Sequence, residues 1–387
     1  MSIEERLRHT LRRRAGTITM NPDALRMVED RLARRRTRQT VVRSILSGAI
    51  TLMVVAATVG GLWIAFRPAD DGGPAEPAGP AGLELQATAI PVGPSPNDVA
   101  AGEGAIWVSV GSGSQSQADA VLRIDPASNQ VQARIEVDEP LQNLVVGGGS
   151  VWGTFVKGDG VGPDASTLVQ IDARTNQVEA VVPGLAGPTA FGAGTLWATA
   201  SAEGEGRTLV RLDPTTREIV AAIPLEVVPW SVSVGDGAAW VLPLEGDTIL
   251  KVDVESSEVV ASFQVPTEGS VYPPVAGEGV LWVPIVTPEF RAVVLRLDAS
   301  TGQSIGDEVS VPAATPFGLS EGRLWILDEK GGVWGLNTDT LQVDESVVYG
   351  DPPRQTTVEK SAVVDSQNSV IWIASYRDSV VRVDLHT

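Results

Sequence analysis

Catalysis needs groups that exchange protons or share electrons, and this chain is short of the versatile ones. Its 387 residues include two His, His9 and His386, and no Cys. Thiol nucleophiles, disulfides and zinc–thiolate sites are therefore excluded, and the long interior of the chain has no imidazole. Carboxylates are the chemistry that remains. Asp98 and the loop acids Asp159, Asp164, Glu203 and Glu205 would make an acid–base pair for a lyase or a glycan hydrolase if two or three converged within about 5–10 Å. Asp159 and Asp164 in KGDGVGPDAS are spaced like part of a calcium loop, but Gly and Pro fill the other ligand positions. No G-x-S-x-G, H-E-x-x-H, Walker loop or EF-hand loop occurs, so no motif asks for a cofactor. Acids are so abundant that any two of them prove nothing.

The second kind of chemistry is recognition. Trp230 and Tyr272 could stack on a sugar ring or clamp a peptide. With Asn97, Gln142, Thr315 and Lys360 they form one candidate ligand-binding set, because the six take matching places in a repeat. Seven Trp follow a turn signal: AGEGAIW to Trp107, VGGGSVW to Trp152, FGAGTLW to Trp197, VGDGAAW to Trp240, AGEGVLW to Trp282, LSEGRLW to Trp325 and DSQNSVIW to Trp372. A second mark follows each of them in register. It is an alternating run ending at Asp125, Asp172, Asp213, Asp253, Asp298 and Asp384, with Asn337 in the sixth copy. Two marks kept in step at a period of 42–47 residues define a repeat architecture.

Each copy resolves into four short strands. The first meets the Trp strand through a two-residue turn with Gly second, as at Glu103-Gly104 or Asp236-Gly237, where positive φ is required. The third ends at the Asp, whose side chain can accept N–H groups of the turn that follows, as in DPASNQ. Radial repetition of four antiparallel strands predicts an all-β, seven-bladed β-propeller over residues 82–387. The repeated Trp then packs between neighbouring sheets. The last copy stops short of a fourth strand, so LELQATAIPV (83–92) is expected to supply it and close the ring. In such blades the 2–3 and 4–1 loops share one face, which holds the candidate set and the long loops 111–119 and 157–166.

The units resemble the propeller family that includes virginiamycin B lyase and the surface-layer proteins of YVTN-type repeats, over about 305 residues. That resemblance implies the propeller fold. It would also imply Mg²⁺-assisted elimination with His at the channel mouth, but no His lies between His9 and His386, and the lyase chemistry does not carry over. Quinoproteins share a D-x-x-T-G motif with a Trp soon after it. Here Ala133, Ala222 and Ala261 stand in that region, so pyrroloquinoline quinone is not supported.

Ahead of the repeats, Ser44–Phe66 is a run of 23 residues without a charge, enough to cross a bilayer core of about 30 Å. Residues 1–43 carry 12 Arg against five acids, and 17 bases and 43 acids are left for the rest of the chain. Arg31, Arg34, Arg35, Arg36, Arg38 and Arg43 crowd the N-terminal flank, which predicts a cytoplasmic N-terminus, an uncleaved signal anchor in the plasma membrane and an extracytoplasmic propeller. The tail 1–43 shows helical stripes at Ile3, Leu7, Leu11 and at Leu25, Val28, Leu32, the second begun by Asn21-Pro22-Asp23. It resembles the Arg-rich tails of actinobacterial membrane proteins, some of them anti-sigma regulators. Docking a cytoplasmic partner and lying on anionic lipid are both open to it. Residues 67–81, RPADDGGPAEPAGPA, form an extended linker reaching at most about 45 Å. The acidic ectodomain excludes nucleic acid. The expected function is binding of an extracytoplasmic protein or glycan, in a module that is also suited to the sensor part of a transmembrane regulator. The carboxylate enzyme is the alternative.

Overall fold

The structure, a computed structural model, describes residues 83–111, 118–156, 166–200, 208–328, 332–348, 361–374 and 378–385. The tail, the apolar run and the linker lie outside the described residues. So do His386, Lys360 and the loop acids Asp159, Asp164, Glu203 and Glu205. Among the described residues no helix is long and apolar enough to cross a membrane.

The described chain forms seven antiparallel sheets, one per sequence repeat. Blade 1 runs Pro96–Gly102, Ala105–Val110, Ala120–Asp125, Gln130–Glu136, and the later blades follow the same order. The first strands of successive blades lie side by side around a central axis, with the first strand of blade 7 back against that of blade 1. Six of the seven turns between first and second strands hold two residues at positive φ, such as Glu103 at 52° and Gly104 at 70°, the geometry that matches the right-handed twist of the flanking strands. The Gly that ends the inner strand has a different reason. A Cβ on Gly147 would sit 2.1 Å from the Phe191 ring, and one on Gly192 would sit 2.4 Å from Val234. Inner strands converge there, and only a bare backbone fits.

The hydrophobic core lies between blades. Trp107, Trp152, Trp197, Trp240, Trp325 and Trp372 have no exposed surface, and Trp282 keeps 3%. Each such ring removes roughly 150–250 Å² from water, worth roughly 4–6 kcal/mol. Trp107 packs with Val151, Val169 and Ile171 of blade 2, and Trp240 with Leu281, Val283 and Ile285 of blade 5. The indole Nε1 of Trp107, Trp152 and Trp240 donates to the carbonyl of the Gly five residues back, at 3.1–3.3 Å.

A polar tie runs from blade to blade beside the tryptophans. The third-strand residue paired with Trp is cationic in several copies, and it lies over the indole: Arg123 on Trp107, Arg211 on Trp197, Lys251 on Trp240, Arg382 on Trp372, at 4.9–5.7 Å from the ring centre. The same head group then donates to the Asp turn of the next blade. Arg123 reaches Ala173 O at 2.8 Å, Lys251 reaches Ala299 O at 2.7 Å, and Arg382 of blade 7 reaches Asn129 Oδ1 of blade 1 at 2.9 Å. The side chain of Gln170 makes the equivalent bond to Pro214 O.

The N-terminal strand closes the ring with a step. Gln86–Pro91 pairs antiparallel with Ser379–Asp384 as the fourth strand of blade 7. Leu83–Glu84, expected in that same strand, instead pairs parallel with Glu345 and Ser346 at the outer edge of blade 6. Leu85 explains the step. It is buried in the cluster that joins blades 6 and 7, with Trp325, Val347 and Val381, so the chain crosses between sheets there.

Blade 5 departs most from the pattern. Its first strand is split into Ser270–Val271 and Val275–Gly277, because Pro273 and Pro274 have no N–H to offer the ladder. Its fourth strand shrinks to Val309–Ser310.

Candidate functional site

The antiparallel register puts the start of each first strand, the end of the second, the start of the third and the end of the fourth at one end of every blade. The described members of the candidate set lie at that end. Asn97 and Trp230 are each the extra residue of a β-bulge, where the register slips between Pro96 and Asp98 and between Pro229 and Ser231. Bulges re-aim a side chain out of the sheet's alternation. Tyr272 opens the break in the first strand of blade 5, its N–H donating to Pro284 O at 2.9 Å.

Trp230 and Tyr272 touch across the boundary of blades 4 and 5, edge to face, with ring centres 5.9 Å apart and planes at 62°. Both remain partly exposed, and Trp230 leans on the core cluster between the two blades. Asn97, Gln142 and Thr315 are exposed at matching places in blades 1, 2 and 6. Lys360, the blade 7 member, lies outside the described residues. Blade 3 contributes Gly187, at φ 70°, where a Cβ would meet Thr199 Oγ1 at 2.3 Å. The ring of candidate side chains is thus uneven, with its aromatic weight on blades 4 and 5.

Asp98, the one candidate acid within the described residues, is enclosed. Its Oδ1 accepts from the Val99 N–H at 2.8 Å and from the Ser361 hydroxyl, and its Oδ2 accepts from the Leu144 N–H at 2.7 Å. These donors come from blades 1, 7 and 2. Burial pushes the Asp98 carboxyl above the usual range, against the pull of those hydrogen bonds. A carboxylate with both oxygens engaged by three blades is a structural tie. Thr189 Oγ1 continues the same seam, donating to Asn143 O at 2.5 Å between blades 3 and 2.

The recurring turn aspartates lie at the opposite end and cap their own turns. Asp298 Oδ1 accepts from the N–H groups of Ser300 and Thr301 at 2.9 and 2.8 Å and from both hydroxyls. Among the described residues no group of three or more His, Asp or Glu is arranged to hold a metal ion.

Two groups of residues at the loop-rich end escaped the repeat pattern because they sit in non-repeating loops. Phe290, in the 2–3 loop of blade 5, is 89% exposed, and Leu244, in the same loop of blade 4, is 55% exposed. The loops around them also carry acids. Apolar residues flanked by Glu within a loop were the available signal.

No family model matches the chain, and no curated protein matches it. Solved structures do resemble it. Kuenenia stuttgartiensis hydrazine synthase superposes with a TM-score of 0.58 at 13% identity, covering 76% of this chain and 96% of that one. The Neurospora crassa Pan2 WD40 domain superposes with a TM-score of 0.56 at 12% identity, covering 79% and 96%. At such identity the likeness shows the fold alone. The chain is a seven-bladed β-propeller of four-stranded blades, like these two in architecture.

Proposed function

We propose that the chain is a membrane-anchored, extracytoplasmic binding module, a propeller of the virginiamycin B lyase-like and YVTN repeat kind without the lyase histidines. Its loop-rich face takes a protein or glycan ligand, and the tail 1–43 lies in the cytoplasm as the regulatory end. One observation carries the reading: the partly exposed Trp230–Tyr272 pair, set at the mouth by a bulge and a broken strand. The fold buries its seven repeated tryptophans almost completely. A Trp and a Tyr left partly exposed in contact with each other, where loops of two blades meet, are the anchors a ligand needs. The uncharged run 44–66 with its Arg-rich N-terminal flank supports the anchor. The carboxylate enzyme is less favoured, because Asp98 is already held by three donors.

The test is affinity capture with residues 82–387 as bait, followed by mass spectrometry of retained proteins and glycans. Trp230→Ala and Tyr272→Ala should each abolish capture while the domain melts close to the parent. Capture unchanged by either substitution would refute the assignment. A stability loss of about 3–5 kcal/mol, the cost of truncating a fully buried aromatic, would place these rings in the core instead.

A further inference from the structure

The loops of blades 4 and 5 at the mouth have a character the repeat does not require. Val228, Leu244 and Phe290 are exposed at this end, in loops of the same two blades that carry the partly exposed Trp230 and Tyr272. Val228 and Leu244 are neighbours across adjoining loops, the Leu244 N–H donating to Val228 O at 2.8 Å. Phe290 is held out at a loop tip in the left-handed region, φ 61°. Its N–H donates to Thr287 O and the Thr287 N–H donates to Arg291 O, both at 2.9 Å. An aromatic ring fixed in that conformation and left in water gains nothing from its own chain.

The same loops carry Glu226, Glu245, Asp247, Glu268 and Glu289, all exposed. Their one base is Arg291, which faces Glu308 at 3.8 Å. Exposed apolar side chains and an excess of acids thus share the loops of two neighbouring blades. Indole and phenol faces also attract cations. A neutral glycan would stack on the aromatic pair but would draw nothing from the excess of negative charge, and an acidic ligand would be repelled.

We propose that the ligand at this sector is a cationic peptide segment of a protein partner, rich in Lys or Arg and carrying at least one large apolar side chain that packs on Phe290, Leu244 and the Trp230–Tyr272 pair. This rests on the reading of the mouth as a binding face and narrows its ligand class. The acids supply steering and selectivity, and the apolar group supplies most of the affinity.

The probe is a phage-displayed random dodecapeptide library selected on the full-length chain in detergent. A glycan array is run beside it with the same protein and with Trp230→Ala. Selected peptides should carry net positive charge and a large apolar residue. The best of them, fluorescein-labelled, should bind about tenfold or more weakly to Phe290→Ser, an exposed substitution that leaves the melting temperature unchanged. It should weaken similarly on Glu268→Lys/Glu289→Lys, and its affinity should fall steeply between about 50 and 500 mM NaCl. Neutral or acidic consensus peptides, or full affinity in the charge-reversed variant, would overturn the proposal. Glycans retained by the parent and lost from Trp230→Ala, with no peptide enriched, would overturn the cationic peptide and leave the binding mouth standing. Failure of both arms would remove both readings.

Discussion

At the residue scale the acids of this propeller divide by environment, and that division sets how its stability depends on pH. The turn carboxylates at Asp172, Asp213, Asp253 and Asp298 are held below the usual range, first of all by hydrogen bonds from their own turns, and Asp298 is brought down to about 2. A group depressed in the folded state contributes stability above its unfolded value, near 4, and loses it as pH falls through the folded value. Asp98 works the other way. Its burial favours the protonated form, so its contribution is full at low pH and declines as pH rises through its raised value. The two effects act in different ranges, the raised carboxyl above about pH 4 and the four depressed ones below it. The melting temperature is therefore expected to hold or rise from neutrality to about pH 4 and to fall between about 4 and 2. Asp298→Asn should flatten part of that fall. The sixth copy shows the amide is tolerated, since Asn337 Oδ1 accepts the N–H groups of Asp339 and Thr340 at 3.0 and 2.9 Å. Melting curves recorded from pH 7 to 2 decide it, and superimposable profiles for parent and variant would exclude Asp298 as a contributor. The turn role of these aspartates was legible in the sequence because it is local and recurs. The Arg or Lys two residues earlier stands in the same motifs, yet its bond goes to the neighbouring blade, and a pattern read within one repeat does not reveal it.

At the scale of elements the closing strand was legible for a physical reason. A blade that ends at its third strand leaves an open edge, and the chain holds one unassigned strand of the right pattern, ahead of the first repeat. The step at Leu85 was not legible, because it depends on a pocket between blades 6 and 7 that no spacing encodes. The broken inner strand of blade 5 follows from Pro273-Pro274, although its consequence, freeing Tyr272 to meet Trp230, needs the neighbouring blade. Closure also carries much of the seam between blades 7 and 1, where Ile90 and Val92 share a cluster with Val99, Trp372 and Val380. Fully burying side chains of this size is worth about 1.5–3 kcal/mol each. Deleting residues 82–93 removes Leu85, Ile90 and Val92 together and bares the edge of Ser379–Asp384, a template for pairing with another chain. The truncated protein should aggregate, or melt without a cooperative transition, when compared with residues 82–387 by calorimetry and light scattering. An equally sharp transition at the same temperature would mean that the strand is an addition to a ring already closed.

Across the whole molecule the decisive feature is the separation of charge along the chain. Residues 1–43 hold 12 Arg against five acids, while the rest of the chain is acidic enough to bring the total to -19. An acidic propeller beside an anionic bilayer surface is repelled within a Debye length, about 8 Å at physiological salt. On the proposed topology, a Pro-rich linker reaching at most about 45 Å would allow it to stand clear of that distance, and the Arg-rich tail would be drawn to the cytoplasmic leaflet. The Arg asymmetry about the uncharged run 44–66 is the ground of the proposed topology, with the tail inside and the propeller outside. On that proposal the loop-rich end is open to the extracytoplasmic space, where a cationic partner segment could reach it. Proteinase K added to intact cells expressing the chain with an epitope at each end should remove the C-terminal epitope, or release the propeller by cutting the linker. The N-terminal epitope should persist on a fragment containing residues 1–66 until the membrane is permeabilised. A C-terminal epitope that survives on intact cells while the N-terminal one is lost would invert the topology. Loss of neither before permeabilisation would put the propeller inside the cell, and the mouth would then have to find its basic partner in the cytoplasm.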